Sequence, residues 1–398
     1  MIRSAAKNHR FVAAVTDPSQ YDRVSQELQE YKGATSLDLR RWLAVAAFAR
    51  TAAYDTAISG WMADRDASVA RPARLPNPLL LRLNRLTELR YGENPHQAGA
   101  VYLNTRSTEP GVAAAQQLHG KDLSFNNLYD ANGALELVKE FDPDALAAVA
   151  VIKHANPCGF AVDEDLAVAF GRAYEGDPLA AFGGVVALNR RVDEATALRI
   201  VEGQKFLEVV VAPGYDDQAL DLLSQRWKSV RLLSVGRLPG PHRRDARELE
   251  YKWILGGLLV QQRDLVPLDP STWTRVAGPP LEPRDLSHLH LGMIAVKHLK
   301  SNAVCLVRDR ALVGAGAGQM DRVASCRIAV EKAQDRARGS FAASDAFFPF
   351  RDGPDVLIRA GVKAIAEPGG SKRDDESIAA CNDAGVTLMF TGRRHFRH

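Results

Sequence analysis

Residues 146–159 read Leu-Ala-Ala-Val-Ala-Val-Ile-Lys-His-Ala-Asn-Pro-Cys-Gly, an unbroken apolar run that ends abruptly in a lysine, a histidine and an amide. A run this apolar has no polar face to give to water, so it predicts a strand covered on both sides, as inside a layered sheet. Similar runs stand at 184–188, 207–211 and 231–235, and helical spacing at 132–141, 163–174, 193–204 and 216–226 separates them. Strands alternating with amphipathic helices mean an α/β fold. Strand ends in such sheets open into ligand crevices, which puts Lys153-His154-Ala155-Asn156-Pro157-Cys158-Gly159 at a crevice mouth.

Upstream, Leu43, Ala44, Ala47, Phe48, Ala52, Tyr54 and Ile58 fall near helical spacing, predicting one or two amphipathic helices between residues 36 and 63. The run Arg71-Pro72-Ala73-Arg74-Leu75-Pro76-Asn77-Pro78 breaks that period, and the main domain boundary belongs there, between residues 68 and 83. Downstream, turns at Pro239-Gly240-Pro241 and around 278–283 precede a strand-like run at 303–307 and a helix over 321–336. A second α/β lobe is expected to begin near Ser287.

Composition narrows the function classes. The 398 residues are 46% hydrophobic and 25% charged, which describes a globular chain of more than one domain and excludes disorder. Lysine and arginine total 51 against 48 acidic residues, so the net charge of +3 gives no field for non-specific nucleic-acid or lipid binding. Cys158, Cys305, Cys326 and Cys381 form no C-x-x-C pair, so neither a zinc cage nor a secreted disulfide framework is expected. The opening residues lack the apolar core of a signal peptide, and no apolar stretch approaches the ~18 residues of a membrane span. A cytoplasmic protein with reduced thiols is the expectation.

Several segments carry chemistry. At the strand end, the His154 imidazole could accept a proton near pH ~7 while the Lys153 ammonium stabilises developing negative charge. A solvated lysine beside a capping histidine fits equally well. Pro157-Cys158 matches half of the P-C-x-x-C of zinc deaminases, but Ala161 replaces the second cysteine, so no catalytic metal is expected. Gly314-Ala315-Gly316-Ala317-Gly318-Gln319 fails the dinucleotide fingerprint at Gln319, and no phosphate-binding G-x-x-x-x-G-K-[ST] occurs. What remains is a flexible strand-to-helix turn, with Arg322 either a phosphate ligand at a helix start or a surface arginine. Arg90-Tyr91-Gly92-Glu93-Asn94-Pro95-His96-Gln97 suits nucleotide recognition or a polar loop. Three phenylalanines between Phe347 and Phe350 are core or a stacking wall. The tail Arg393-Arg394-His395-Phe396-Arg397-His398 would ordinarily be a frayed terminus.

Taken in order, RYGENPHQ, LHGKDLSFNNLYD, KHANPCGFAV, DPLAAFGG, VVVAPGY, SNAVC, GAGAGQMDR, SDAFFPFRDG and TGRRHFRH resemble one family along essentially the whole chain. That family is the bifunctional purine-biosynthesis proteins, which join an IMP cyclohydrolase domain to an AICAR transformylase domain. The resemblance implies that residues 1–80 are the last part of a cyclohydrolase domain with a linker, a helical remnant carrying Lys7, which matches a cyclohydrolase active-site lysine. Residues 81–398 would be the transformylase domain, in two lobes of cytidine-deaminase-like fold, about 81–285 and 286–398. The implied reaction moves a formyl group from the co-substrate 10-formyltetrahydrofolate to AICAR, giving FAICAR and tetrahydrofolate in IMP biosynthesis.

By matching position, His154 would take the proton of the attacking amine, Lys153 would stabilise the oxyanion or protonate the departing nitrogen, and Asn302 would orient the formyl oxygen. Arg90 and Tyr91 would bind the nucleotide, Phe182 and Gly183 the pocket wall, Glu208 the ribose hydroxyls, and Arg322 the phosphate or its surroundings. Phe347 and Asp352 would lie beside the ring, and Arg394 would meet an anionic group. The resemblance further implies a homodimer with sites at its interface, and no nucleic-acid or membrane partner. Cyclohydrolase activity is expected to be absent from this chain alone. A truncated record of the full bifunctional enzyme and a silent nucleotide-binding or dimerisation module are the alternatives.

Overall fold

The computed structural model describes residues 1–63, 75–105 and 107–398. Residues 68–74 of the expected boundary therefore lie outside the described residues. Contacts divide the chain into two compact units, one of residues 1–83 with 250–262 and one of residues 84–249 with 263–398.

In the first unit the expected helical segment is one helix of 27 residues, Leu37–Ala63, after shorter helices Ile2–Lys7 and Tyr21–Glu30. Ser36 starts it by accepting from the Leu39 N–H at 3.0 Å, as an N-cap does. Its buried stripe, Leu39, Leu43 and Ala47, follows the three-to-four spacing of a helix face, and Ala6, Ala14, Ala44 and Ala47 form a small core. A hairpin, Leu249–Ile254 with Gly257–Gln262, belongs to the same unit from residue 250 onward.

The second unit opens with β1 (Asn84–Leu89) paired antiparallel to β2 (Gly99–Leu103). Next come β3 (Gln116–His119), β4 (Ala147–Lys153), β5 (Asn156–Asp163), β6 (Gly184–Leu188), β7 (Leu207–Ala212) and β8 (Arg231–Ser234). The hairpin of the first unit supplies β9 and β10. The chain then adds β11 (Thr274–Ala277), β12 (Val304–Arg308), β13 (Ala311–Gly316), β14 (Phe341–Ser344), β15 (Ala364–Glu367) and β16 (Thr387–Phe390).

All but the two hairpin pairs join one twelve-stranded sheet, ordered β11-β16-β15-β14-β12-β13-β5-β4-β6-β7-β8-β3. Counted outward from its centre, the sheet says the same thing twice. In one direction β5 and β4 form an antiparallel hairpin, β6 joins antiparallel, β7 and β8 follow parallel, and β3 closes antiparallel. In the other direction β13, β12, β14, β15, β16 and β11 repeat those senses step for step. The helices repeat too, since Phe125–Val138 and Pro283–His298 each link a sheet-edge strand to a central hairpin.

Both faces of the central strands are covered. Ala148, Ala150 and Ile152 of β4 pack into a core shared with both long helices, while Ala147, Val149 and Val151 pack on the opposite face. This two-sided burial is why the run at 146–152 is apolar throughout.

The structure alters four local expectations. The segment read as the end of a strand is a hairpin, whose two-residue turn places His154 and Ala155 at φ 51° and 60°. Positive φ at both turn positions matches the twist of the flanking strands, and the Asp130 carboxylate supports it by accepting from the Ala155 N–H at 2.7 Å. The helix expected over 163–174 begins only at Leu166, because β5 runs to Asp163 and Asp165 caps the helix by accepting from the Val168 N–H at 3.0 Å. The helix expected over 132–141 starts earlier, at Phe125, where Ser124 and Asn127 form a capping box.

The glycine run divides, since Gly314–Gly316 end β13 and only the residues from Ala317 to Asp321 form the strand-to-helix turn. A Cβ at Gly314 would stand 2.1 Å from the Ala329 carbonyl oxygen, and one at Gly316 2.1 Å from that of Ser325, so these glycines let helix Arg322–Ala333 lie directly on β13. Gly159 does the same in β5, where a Cβ would stand 1.9 Å from the Ala173 carbonyl. Gly159→Ala and Gly316→Ala should therefore each lower stability by about 1–3 kcal/mol through overpacking, read as a lower urea midpoint at unchanged slope.

Candidate active site

Register decides which strand ends meet. Ile152, near the end of β4, stands opposite Val185 of β6, and β6, β7 and β8 begin together. Across the centre, Ala161 of β5 pairs antiparallel with Ala311 of β13, so the start of β5 lies toward the end of β13. Gly316 there stands opposite Val304, and Val304 opposite Ser344. One end of the sheet thus collects the starts of β6, β7 and β8 and the ends of β14, β15 and β16.

On the first half of this end, the Lys153 ammonium donates to the carbonyl oxygens of Gly183 at 2.9 Å and Phe182 at 3.3 Å. Gly183 adopts φ 68°, and a Cβ there would stand 3.2 Å from Lys153 Nζ, so a side chain would crowd the ammonium. Phe182 is exposed and leans on Phe206, with ring centroids 5.6 Å apart. His154 projects from the exposed turn. Glu208 Oε2 accepts from Asn127 Nδ2 at 2.9 Å and from Arg231 Nη1 at 3.4 Å. Asn127 thus serves twice, since its Oδ1 also accepts from the Ser124 N–H to close the capping box. Arg90 lies over the Tyr91 ring at 4.9 Å and donates to its hydroxyl at 3.2 Å. That loop reaches the same helix start, because Asn126 Nδ2 donates to the Glu93 carbonyl at 3.3 Å.

On the second half, a cavity of about 730 Å3 is lined by Asn302, Arg322, Phe347, Asp352 and Arg394 together with Phe350 and Phe396. The aromatic run divides between the two alternatives, since Phe348 is core while Phe347 and Phe350 open on the cavity. Arg322 is buried, not a surface arginine. Its Nη1 donates to Ser344 Oγ at 2.9 Å and pairs with Asp345, and its Nη2 donates to Asn302 Oδ1 at 2.7 Å. Asn302 Nδ2 in turn donates to the Gln319 carbonyl at 2.9 Å, so both ends of its amide are fixed. Asp352 begins helix Asp352–Arg359.

The two groups are stitched together. Asn156, opposite Lys153 in the hairpin, accepts from the Lys300 N–H at 3.0 Å, two residues before Asn302. Lys7 is exposed in the last turn of helix Ile2–Lys7, in the first unit. A smaller cleft of about 380 Å3, lined by Gln334, Asp335, Arg338 and Ala360, includes none of the expected site residues. Among the described residues no group of His, Cys, Asp or Glu could hold a metal ion. Burial pushes the Cys158 thiol up to about 12, so it stays protonated. No described helix is long and apolar enough to cross a membrane.

Residue-by-residue reading passed over Asn127, Asp130, Ser344 and Asp345. The first two stand in Ser-Phe-Asn-Asn-Leu-Tyr-Asp, where Ser124 followed by Asn127 signals a helix start but not what the amide reaches. Glu367 was also missed. It is fully buried at the end of β15, Oε2 accepts from the Phe348 N–H at 2.7 Å, and Oε1 has no partner among the described residues. Burial pushes its carboxyl from 4.5 up to about 8.

A carboxyl raised in the folded state binds more protons there than in the unfolded chain, so its contribution is present below about pH 4.5 and lost as pH rises through about 8. Glu367→Gln should remove this component. Urea midpoints between pH ~5 and ~9 should fall less steeply in the variant than in the parent; identical slopes would show that Glu367 ionises normally.

The family described as the AICARFT/IMPCHase bienzyme matches residues 5–332. The chain is 48% identical over 408 residues to the bifunctional purine biosynthesis protein PurH of Cereibacter sphaeroides, covering 100% of this chain and 75% of that protein. It is 47% identical over 410 residues to PurH of Magnetococcus marinus, with the same two coverages. To PurH of Cutibacterium acnes it is 48% identical over 409 residues, covering 100% of this chain and 74% of that one. A family match over most of the chain, with relatives this similar along its whole length, makes the protein a member of the AICARFT/IMPCHase bienzyme family of purine-biosynthesis enzymes.

Proposed function

We propose that this chain transfers the formyl group of 10-formyltetrahydrofolate to the 5-amino group of AICAR, giving FAICAR and tetrahydrofolate. The observation that carries the reading is the hairpin that holds Lys153 and His154 at consecutive positions at this end of the sheet, where Asn156 accepts from the Lys300 N–H two residues before Asn302 of the aromatic-walled cavity.

The amine of AICAR is conjugated with its imidazole carboxamide and is a weak nucleophile, so its proton must leave as the new carbon–nitrogen bond forms. His154, exposed and with an imidazole that makes no hydrogen bond among the described residues, is the base that takes it. Lys153, aimed by the carbonyls of Phe182 and Gly183, stabilises the tetrahedral oxyanion and supplies a proton to the folate nitrogen as its bond to the formyl carbon breaks. Asn302, held by Arg322, orients the formyl oxygen. The reaction needs no metal in this scheme.

Arg90 and Tyr91 contact the nucleotide, and Phe182 and Gly183 form its wall. Glu208, with Oε2 engaged by Asn127 and Arg231, offers Oε1 to the ribose hydroxyls. Arg322 acts on the phosphate surroundings through the residues it fixes, Phe347 and Asp352 flank the ring in the cavity, and Arg394 meets an anionic group. Lys7 takes no part in formyl transfer. The repeated strand order supports two lobes of cytidine-deaminase-like fold, about 81–285 and 286–398. A homodimer is the proposed working form, supported by exposed Leu179, Phe182 and Met320 around this end of the sheet.

Protein given AICAR and 10-formyltetrahydrofolate should accumulate FAICAR, followed by chromatography that resolves FAICAR from IMP. His154→Ala should lower kcat by about 10²–10⁴-fold while the dissociation constant for AICAR changes little. Undiminished turnover in that variant would remove the assignment.

A further inference from the structure

The C-terminal tail presents a two-residue alternation. Arg394 and Phe396 are exposed and line the cavity, whereas His395 is buried and Arg397 half-buried on the opposite side. Extended backbone alternates its side chains in this way, so a slip of one residue would turn Arg394 inward and His395 into the cavity. Backbone bonds tie the tail at His395 and Arg397. The His395 N–H donates to the Asp345 carbonyl at 2.9 Å, the Ser301 N–H to the Arg397 carbonyl at 2.9 Å, and the Arg397 N–H to Ser301 Oγ at 3.0 Å.

What distinguishes this register from a slipped one is side-chain chemistry on the inner face. His395 Nδ1 lies 2.7 Å from Asp264 Oδ2, and because a carboxylate oxygen accepts, Nδ1 is the donor. The other ring nitrogen, Nε2, is buried with no partner among the described residues, which leaves Asp264 as the imidazole's single polar anchor. Asp264 is itself held by its neighbour. Arg263 donates to Glu109 at 2.8 Å and to Glu136 at 2.8 Å inside a buried cluster that also takes in Lys139 and Arg244. Two adjacent residues thus point opposite ways, Arg263 into the ionic core of the first half and Asp264 toward the tail.

Arg397 adds a second inner contact. Its Nη1 donates to His298 Nδ1 at 3.2 Å, which makes His298 Nε2 the donor to Glu140 Oε1 at 3.0 Å.

We propose that Asp264 is a positioning residue for the cavity, locking the register of the tail through His395 so that Arg394 and Phe396 face the ligand. Asp264 touches no ligand itself. The inference rests on the proposed function, because it takes this cavity to be a substrate site.

The test uses the full chain and four variants: Asp264→Ala, Asp264→Asn, Arg394→Ala and the Asp264→Ala/Arg394→Ala double. Asp264 has a half-exposed side chain, so its truncation leaves folding intact, and urea midpoints check this. Asp264→Ala should raise KM for one of the two substrates about tenfold, with kcat within about twofold of the parent. Asp264→Asn should restore the parent KM, because its amide oxygen still accepts from Nδ1–H. The double variant should be no worse than Arg394→Ala, since both changes remove the same contact. Unchanged KM values in Asp264→Ala, additive effects in the double variant, or equal losses of kcat and stability in both Asp264 variants would each overturn the register lock. A parent protein that makes no FAICAR would instead sink the proposed function, so the two failures are told apart.

Discussion

The antiparallel join of β5 to β13 decides where everything else in the second unit can be. It is narrow, with Ala161 opposite Ala311 and the Val162 N–H donating to the Arg310 carbonyl at 3.1 Å. Yet it fuses two half-sheets of the same strand order into one, and its antiparallel sense turns one half end for end relative to the other. The starts of the parallel strands in the first half therefore meet the ends of the parallel strands in the second. Neither half alone holds Lys153, His154 and Glu208 together with Asn302, Arg322 and the aromatic wall. The join does not stand unaided, since the core beneath both long helices runs continuously under the two halves.

Charge inside this unit is organised to be satisfied by protein. Burial opposes ionisation of Glu136 and Glu140, but neighbouring Lys139, Arg244 and Arg263 in the first case, and His298 and Lys297 in the second, hold both near 2. Burial likewise drives His298 down to about 4, so it stays neutral and can accept from Arg397 on one side while donating to Glu140 on the other. Such buried pairs contribute little net stability over an apolar core of equal volume, but removing one partner is costly because the other is left uncompensated. Their use here is geometric. Each fixes one orientation of a long side chain. Arg322 illustrates the point, because its guanidinium is committed to Ser344, Asp345 and Asn302, and so sets the direction of the Asn302 amide.

Much of the layered architecture was legible from periodicity. The strands at 184–188, 207–212 and 231–234 and the helices between them fall close to where apolar runs and amphipathic spacing put them, because burial on one or two faces acts residue by residue. β5 was not legible, since Pro157 and Gly159 resemble loop punctuation until the hairpin and the close approach of helix Leu166–Tyr174 explain them. The glycines of β13 misled for the same reason. They make room for a helix, which a linear pattern cannot distinguish from a flexible turn.

By itself the sequence determined the fold class, the family, and the identity of most residues proposed for the site, since ordered motifs carry those facts whatever their positions in space. Only the tertiary structure decided which strand ends share one edge of the sheet, which phenylalanines of the aromatic run are core and which face the cavity, and what holds the tail. These depend on register and on contacts between residues far apart in the chain, such as Asn127 with Glu208 and Asp264 with His395. No local pattern encodes them, because the same side chains at the same spacing would satisfy a sheet joined in the opposite sense.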